Sequence, residues 1–309
     1  MKTLLFPGQG SQSVGMGSDL YKNFDLVKKI FHEADQKLNY SLSKIILEGP
    51  ESELKLTKNT QPAILIISYS IIKLITEEFN IQVKKNSKYL AGHSLGEYSA
   101  LVASGSLSFG DALVLLHERG KAMQEAVPEG KGLMLAVMGL KIDELNSYIS
   151  EIKKESGVCE IANDNSYNQI ILSGDRNAIN DISKILKDNK KKSILLPVSA
   201  PFHCSLMRPA AEKMKQKIND IDFKDPSTQL VSNVTAQPTN NSNDIKRLLI
   251  EQIYSRVRWR ESIEFMIKNG VSEFIEIGPG KVLSGLIKRI SDKVSSKSIN
   301  TIDEIKNLK

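Results

Sequence analysis

In "AGHSLGEYSAL" (Ala91 to Leu101) a serine stands two residues from a glycine on each side, with a histidine before it and a glutamate three residues after it. Gly-x-Ser-x-Gly is the pattern of a nucleophile elbow, a sharp strand-to-helix turn that presents a hydroxyl at its tip. The glycines have a steric reason. A serine held in strained backbone geometry brings the residues two positions away so close that a Cβ has no room. The flanks fit, since "KYLAG" reads as a strand and "EYSALVAS" as a helix. Ser94 is therefore the candidate nucleophile. The first N–H groups of a helix lack intrahelical acceptors. The N–H of Leu95 is thus placed to stabilise an oxyanion, and the helix dipole adds to this.

A serine hydroxyl needs a base to take its proton. The chain has four histidines. His32 falls in an amphipathic helix. The ring of His93 should point away from the Ser94 side chain and shape the elbow. His117 sits in a helix before Arg119 with no obvious partner. His203, in "VSAPFHCSLM", follows a proline turn in a loop, and catalytic side chains concentrate on loops held by a rigid scaffold. An α/β-hydrolase carries its acid between serine and histidine, with the histidine near the C-terminus. Here about a third of the chain follows His203 and no Asp stands in a clear acid-loop context. That departure argues against a lipase or esterase. Cys204 adjoins His203, but adjacent side chains diverge, so it reads as a small packing residue.

These residues must be positioned by a fold, and the pattern of elements indicates which. Strands and helices alternate through most of the 309 residues, which is the α/β class. "TLLF" is the first strand and runs into the turn "PGQGSQSVGMG". A helix follows from about Leu20 to Leu38, and a long buried helix reaches to about Phe79. Ser108 with Asp111 three residues on resembles a capping box opening the next helix. From "GLMLAVMGL" to "KSILLPVS" the order becomes βαββαβ, the ferredoxin-like arrangement. This small domain is expected at residues 130–198, inserted into a large domain made of 1–129 and 199–309.

Composition narrows the class of function. A hydrophobic content of 40% with 25% charged residues is that of a soluble globular chain with a sizeable core. A net charge of +6 is too mild for a nucleic-acid protein and suits an acidic partner or an anionic substrate. No apolar run reaches the roughly 18 residues of a membrane span. The two cysteines, Cys159 and Cys204, form no CxxC pair, so neither a metal site nor a disulfide scaffold is expected, and a reducing cytoplasm is the expected compartment. "GQGSQ" has Ser13 where the G-x-G-x-x-G dinucleotide fingerprint needs its third glycine. It reads instead as a flexible turn.

Taken together, "FPGQGSQ", "GHSLGEYSAL", "RGKAMQEAVPEG", "APFHCSLM" and "GPGKVLSGL", in order and across nearly the whole chain, resemble the malonyl-CoA:acyl carrier protein transacylase family. The resemblance implies an α/β-hydrolase-like large domain, with a mostly parallel sheet and an inserted ferredoxin-like domain. It implies Ser94 as nucleophile and His203 as base. The N–H groups of Gln9 and Leu95 would form the oxyanion hole, and Arg119 would grip the free carboxylate of malonate. In the family the histidine is oriented by a main-chain carbonyl rather than an acid, and the matching residue is Gln252. Arg119 also makes sense on its own terms, because a planar guanidinium pairs bidentately with a carboxylate. "APFH" resembles malonyl-selecting members. The implied substrates are malonyl-CoA and the phosphopantetheine thiol of acyl carrier protein, with no cofactor, a monomeric chain and a place in fatty acid biosynthesis. Lys121, Lys190, Arg208, Arg256, Arg258, Lys281 and Arg289 are candidates for a basic rim that receives the acidic carrier protein.

Overall fold

The computed structural model describes residues 1–82, 87–152, 154–198 and 200–308. The larger of its two sheets contains β1 (Lys2–Phe6), β2 (Ser87–Gly92), β7 (Leu230–Val231), β8 (Pro238–Thr239), β9 (Glu273–Ile277) and β10 (Ser295–Ile299). Their spatial order is β10-β9-β1-β2-β7-β8. Every pairing is parallel except that of β7 with β8. β1 shows how both faces are covered. Successive side chains of a strand point to opposite faces, and here Leu4 and Phe6 enter one core while Leu5 enters the other. A run of apolar residues without alternation is what a parallel strand buried on both faces requires.

The smaller sheet contains β3 (Gly132–Met138), β4 (Cys159–Ser166), β5 (Gln169–Asp175) and β6 (Lys192–Leu195) in the order β4-β5-β3-β6, all antiparallel. The helices Ile142–Ser150 and Arg176–Asp188 complete the ferredoxin-like order and close a separate core around Leu135, Val137, Leu172, Ile179 and Ile182. We propose 130 and 198 as the limits of this inserted domain. Its strand β4 is fastened to the larger unit. The Asp164 N–H donates to the Val257 carbonyl at 2.9 Å, and the Val257 N–H donates to Ala162 at 2.8 Å. The Arg260 guanidinium grips the buried Asp164 carboxylate from the other side at 2.8 and 3.1 Å.

Several local expectations are corrected. The helix expected from Leu20 to Leu38 is two helices, Ser18–Asn23 and Asp25–Leu38. Phe24 is extended between them, and its ring lies edge-on to Phe79 at 6.0 Å. β7 is confined to Leu230–Val231, because the residues after it turn to meet the elbow. "KSILLPVS" is strand over Lys192–Leu195, and Ser199 lies outside the described residues, as does Lys153 in the helix expected before β4. β10 carried no sequence signal: Ser295–Ile299 is polar, lies at a sheet edge and is held by the backbone of β9.

Candidate active site

The elbow follows β2 at the carboxyl end of the large sheet. Ser94 has φ 54°, a left-handed conformation that side-chain-bearing residues rarely adopt. Packing explains both glycines. A Cβ on Gly92 would lie 1.9 Å from the Gly96 carbonyl carbon, and one on Gly96 would lie 2.2 Å from the Phe6 carbonyl oxygen. Strand β1 and the elbow helix Gly96–Ser104 therefore touch backbone to backbone.

His203 reaches this turn from a distant segment. Its Nε2 is 2.8 Å from Ser94 Oγ, and its Nδ1 is 2.8 Å from the main-chain oxygen of Gln252. A carbonyl only accepts, so Nδ1 carries the hydrogen and Nε2 faces the hydroxyl with its lone pair. Gln252 ends the helix Ser242–Gln252, where carbonyls have no intrahelical donor. Burial, and then the nearby Arg119 cation, lower the imidazole to about 3, so the ring is neutral near pH 7.

Arg119 lies in the same constellation and is 1% exposed. Its Nη1 donates to Gln61 Oε1 at 2.7 Å. Its Nη2 donates to Gln252 Oε1 at 2.8 Å and to Ser94 Oγ at 3.1 Å. The helix Phe109–Glu125 that carries it must approach the helix Thr57–Lys73 closely. Gly120 makes that possible, since a Cβ there would sit 2.6 Å from the Thr57 carbonyl oxygen. Burial lowers the guanidinium pKa, while Tyr98 and Glu97 oppose the change.

Three polar residues of the site were not singled out from the sequence. Gln61 is one anchor of Arg119. Glu97, 2% exposed, accepts from Gln252 Nε2 at 2.6 Å and from the Asn233 N–H at 3.3 Å. Its burial pushes the carboxyl up to about 7, against hydrogen bonds from Gln252 and Asn233 and the charge of Arg119. Asn233 is fully buried beside the elbow. Glu97 stands within the elbow motif, and a charged side chain inside so apolar a helix was a readable signal. Gln61 and Asn233 had none.

The remaining candidates have definite places. Gly8 lies so close to the elbow that a Cβ would be 2.6 Å from the His93 carbonyl oxygen, which brings Gln9 alongside. Among the described residues, neither the Gln9 nor the Leu95 N–H donates to a protein acceptor. His93 Nε2 bonds Asn165 Oδ1 at 2.9 Å, its ring tilts against Trp259, and it ties the elbow to β4. His117 does have a partner. Pro62 has no N–H to offer the carbonyl four residues earlier, and His117 Nδ1 donates to that Lys58 oxygen at 3.0 Å. His32 is on the surface beside Gln36. Cys204 Sγ is buried against the Pro201 carbonyl at 3.1 Å. Of the basic rim, Arg256 and Arg258 are paired with Glu261 and Lys121 with Glu118, whereas Arg208 lies over the ring of Tyr254 at 4.4 Å.

A nucleophile, a neutral base and a buried cation converging on one hydroxyl suit acyl transfer from a charged acyl donor. The acyl transferase domain family matches residues 3–305. The chain belongs to this family. The acyl transferase is 44% identical over 302 residues to the malonyl CoA-acyl carrier protein transacylase of Bacillus subtilis (strain 168), covering 97% of this chain and 94% of the relative. The crystal structure of the acyl-carrier-protein-S-malonyltransferase from Bartonella henselae superposes with a TM-score of 0.96 at 42% identity, covering 99% and 97% of the two chains. A type II PKS acyl-carrier protein in complex with its malonyl-transacylase superposes with a TM-score of 0.94 at 38% identity, covering 99% of this acyl transferase and 98% of that chain.

Proposed function

We propose that this acyl transferase moves malonyl groups from malonyl-CoA to the phosphopantetheine thiol of an acyl carrier protein, by a ping-pong route through a malonyl-Ser94 ester. The observation that carries the reading is the placement of Arg119. A buried cation 3.1 Å from the nucleophile's oxygen is costly to an enzyme handling apolar acyl chains and useful to one handling a carboxylate. The malonyl carboxylate takes the guanidinium, exchanging for its bonds to Gln61 and Gln252.

His203 Nε2 removes the proton as Ser94 Oγ attacks the thioester carbon. The N–H groups of Gln9 and Leu95 receive the oxyanion. The C–S bond breaks, and CoA leaves as the thiol with the proton from His203. In the second half the carrier thiol gives its proton to His203 and its sulfur attacks the ester carbon; the C–Oγ bond breaks, and Ser94 Oγ leaves with the proton from His203. The names of the relatives and the solved carrier-protein complex support the donor and the acceptor. Fatty acid biosynthesis is the process such a product feeds. All the proposed groups come from one chain, so a monomer suffices. The route runs on these side chains and the two substrates, with no cofactor assigned. Cytoplasmic residence fits the two free cysteines, and among the described residues no helix is long and apolar enough to cross a membrane.

The test is mass spectrometry of the protein after malonyl-CoA, with the acyl group located on a peptide. The expected result is malonyl on the peptide containing Ser94, transferred on addition of holo-carrier protein. Rapid release of free malonate without an acceptor thiol would instead identify a thioesterase.

A further inference from the structure

We propose that Asn233 is a positioning residue for the acyl transfer: its side-chain amide, held between the Gly92 carbonyl and the Ser94 N–H, keeps the elbow in its strained form and selects which elbow N–H stays free. The inference rests on Ser94 as the acylated residue.

Strands β2 and β7 pair in parallel only at Leu90 with Leu230 and Ala91 with Val231. Beyond that point β2 bends into the elbow, and the main chain of β7 does not follow it. The Asn233 side chain takes over. Its Nδ2 donates to the Gly92 oxygen at 2.7 Å, and its Oδ1 accepts from the Ser94 N–H at 2.7 Å. One amide thus supplies the donor and the acceptor that a neighbouring peptide would supply in a ladder. The orientation is forced, because a carbonyl only accepts and a backbone N–H only donates. Gln252 Nε2, 3.4 Å from the same Oδ1, agrees with it.

The loop behind the amide is braced on both sides. The Asn233 N–H donates to Glu97 Oε2, and the Asn233 carbonyl accepts from the Arg258 N–H at 2.9 Å. Two consequences follow for the chemistry. Ser94 is kept at φ 54°, the conformation in which Oγ meets His203 Nε2. With its own N–H engaged by Asn233, Ser94 leaves the Leu95 N–H as the elbow's donor to an oxyanion. An acylating serine displaced by even about 1 Å loses on the order of 10²-fold in rate.

The experiment compares the native protein, Asn233→Leu, Asn233→Asp and Ser94→Ala in a pre-steady-state assay of CoA release from malonyl-CoA. Rates are expressed per active site from the burst amplitude, and each variant's melting temperature is recorded. Asn233→Leu is expected to slow acylation about 10²-fold per site with KM for malonyl-CoA changed less than about threefold, because Arg119 is not engaged by Asn233. Asn233→Asp keeps the acceptor for Ser94 and loses the donor to Gly92, and its rate is expected between the two. Should the Leu variant not fold, the Asp variant carries the comparison. A role confined to stability would lower the melting temperature and leave the rate per site within threefold of native, and that result overturns the proposal. A Ser94→Ala protein that still becomes malonylated overturns the underlying assignment of the nucleophile, a different outcome from an inactive Ser94→Ala beside an unimpaired Asn233→Leu.

Discussion

Ser94 Oγ and His203 Nε2 lie 2.8 Å apart across 109 residues of chain, and both residues hold left-handed backbone angles, φ 54° and 59°. Strain of this kind costs on the order of 1–3 kcal/mol per residue and persists only where the surroundings over-determine it. Here the surroundings are identifiable. Close glycine packing and Asn233 hold the first residue, and the Gln252 main-chain oxygen holds the second. The fold itself thus holds the hydroxyl and the imidazole together.

Replacing His203 by Ala should slow acylation by about 10²- to 10⁴-fold, the usual contribution of a positioned base. KM for malonyl-CoA should change little, since the ring is not placed to bind the carboxylate. Pre-steady-state release of CoA measures both. A variant as fast as native would remove His203 from the mechanism.

Arg119→Ala should weaken use of malonyl-CoA by on the order of 10²-fold while leaving transfer from acetyl-CoA close to its native rate. Arg119→Lys should recover only part of the loss, because an ammonium is a point charge and cannot offer the carboxylate a planar two-pronged fork once Gln61 and Gln252 are exchanged. The ratio of kcat/KM for the two donors checks this. Retained malonyl preference in Arg119→Ala would reject the clamp.

The pH dependence of acylation should not follow a free imidazole. Burial and the Arg119 charge hold His203 at about 3 instead of near 6.5. The neutral base is therefore available at pH 5, where an exposed histidine is mostly protonated. The stability contribution has the matching sign. It is complete above the ordinary value and is lost as pH falls through the window between 6.5 and about 3. An acid limb of kcat/KM at pH 6–7 that persists in Glu97→Gln would contradict this.

Glu97 should show the opposite sign. Its folded value is raised from 4.5 to about 7, chiefly by burial. Its favourable contribution is present below the ordinary carboxylate value and disappears as pH rises through 7. Glu97→Gln cannot ionise, so its melting temperature relative to the native protein should be higher at pH 8.5 than at pH 5.5. Melting curves at the two pH values decide it, and an equal difference at both would show that Glu97 does not titrate in this range.

Gly96→Ala should displace the elbow, because its Cβ would meet the Phe6 oxygen at 2.2 Å, in backbone that has no slack. A loss of about 1–3 kcal/mol in unfolding free energy is expected. Labelling of Ser94 by an acyl-site fluorophosphonate should fall with it. Gly105→Ala provides a control for glycine removal without a clash, since a Cβ there meets nothing within 4 Å, although its positive φ still strains any side chain.

What the sequence by itself determined was whatever depends on near neighbours along the chain. The elbow could be read because its two glycines and its serine obstruct one another within five residues. The ferredoxin-like unit could be read because strand and helix periods alternate there without interruption. Leu95 followed from helix geometry alone. The roles of Gln9, Arg119 and the Gln252 main chain came through resemblance, since nothing local marks them. Only the tertiary structure decided how the cation is held and how the elbow is kept in place. Gln61 meets Arg119 from 58 residues away, Gln252 from 133, and Asn233 meets Ser94 from 139. Contacts between segments so far apart leave no period or spacing in the chain. They arise from the order in which parallel strands are laid side by side, and that order is set by packing of the whole core.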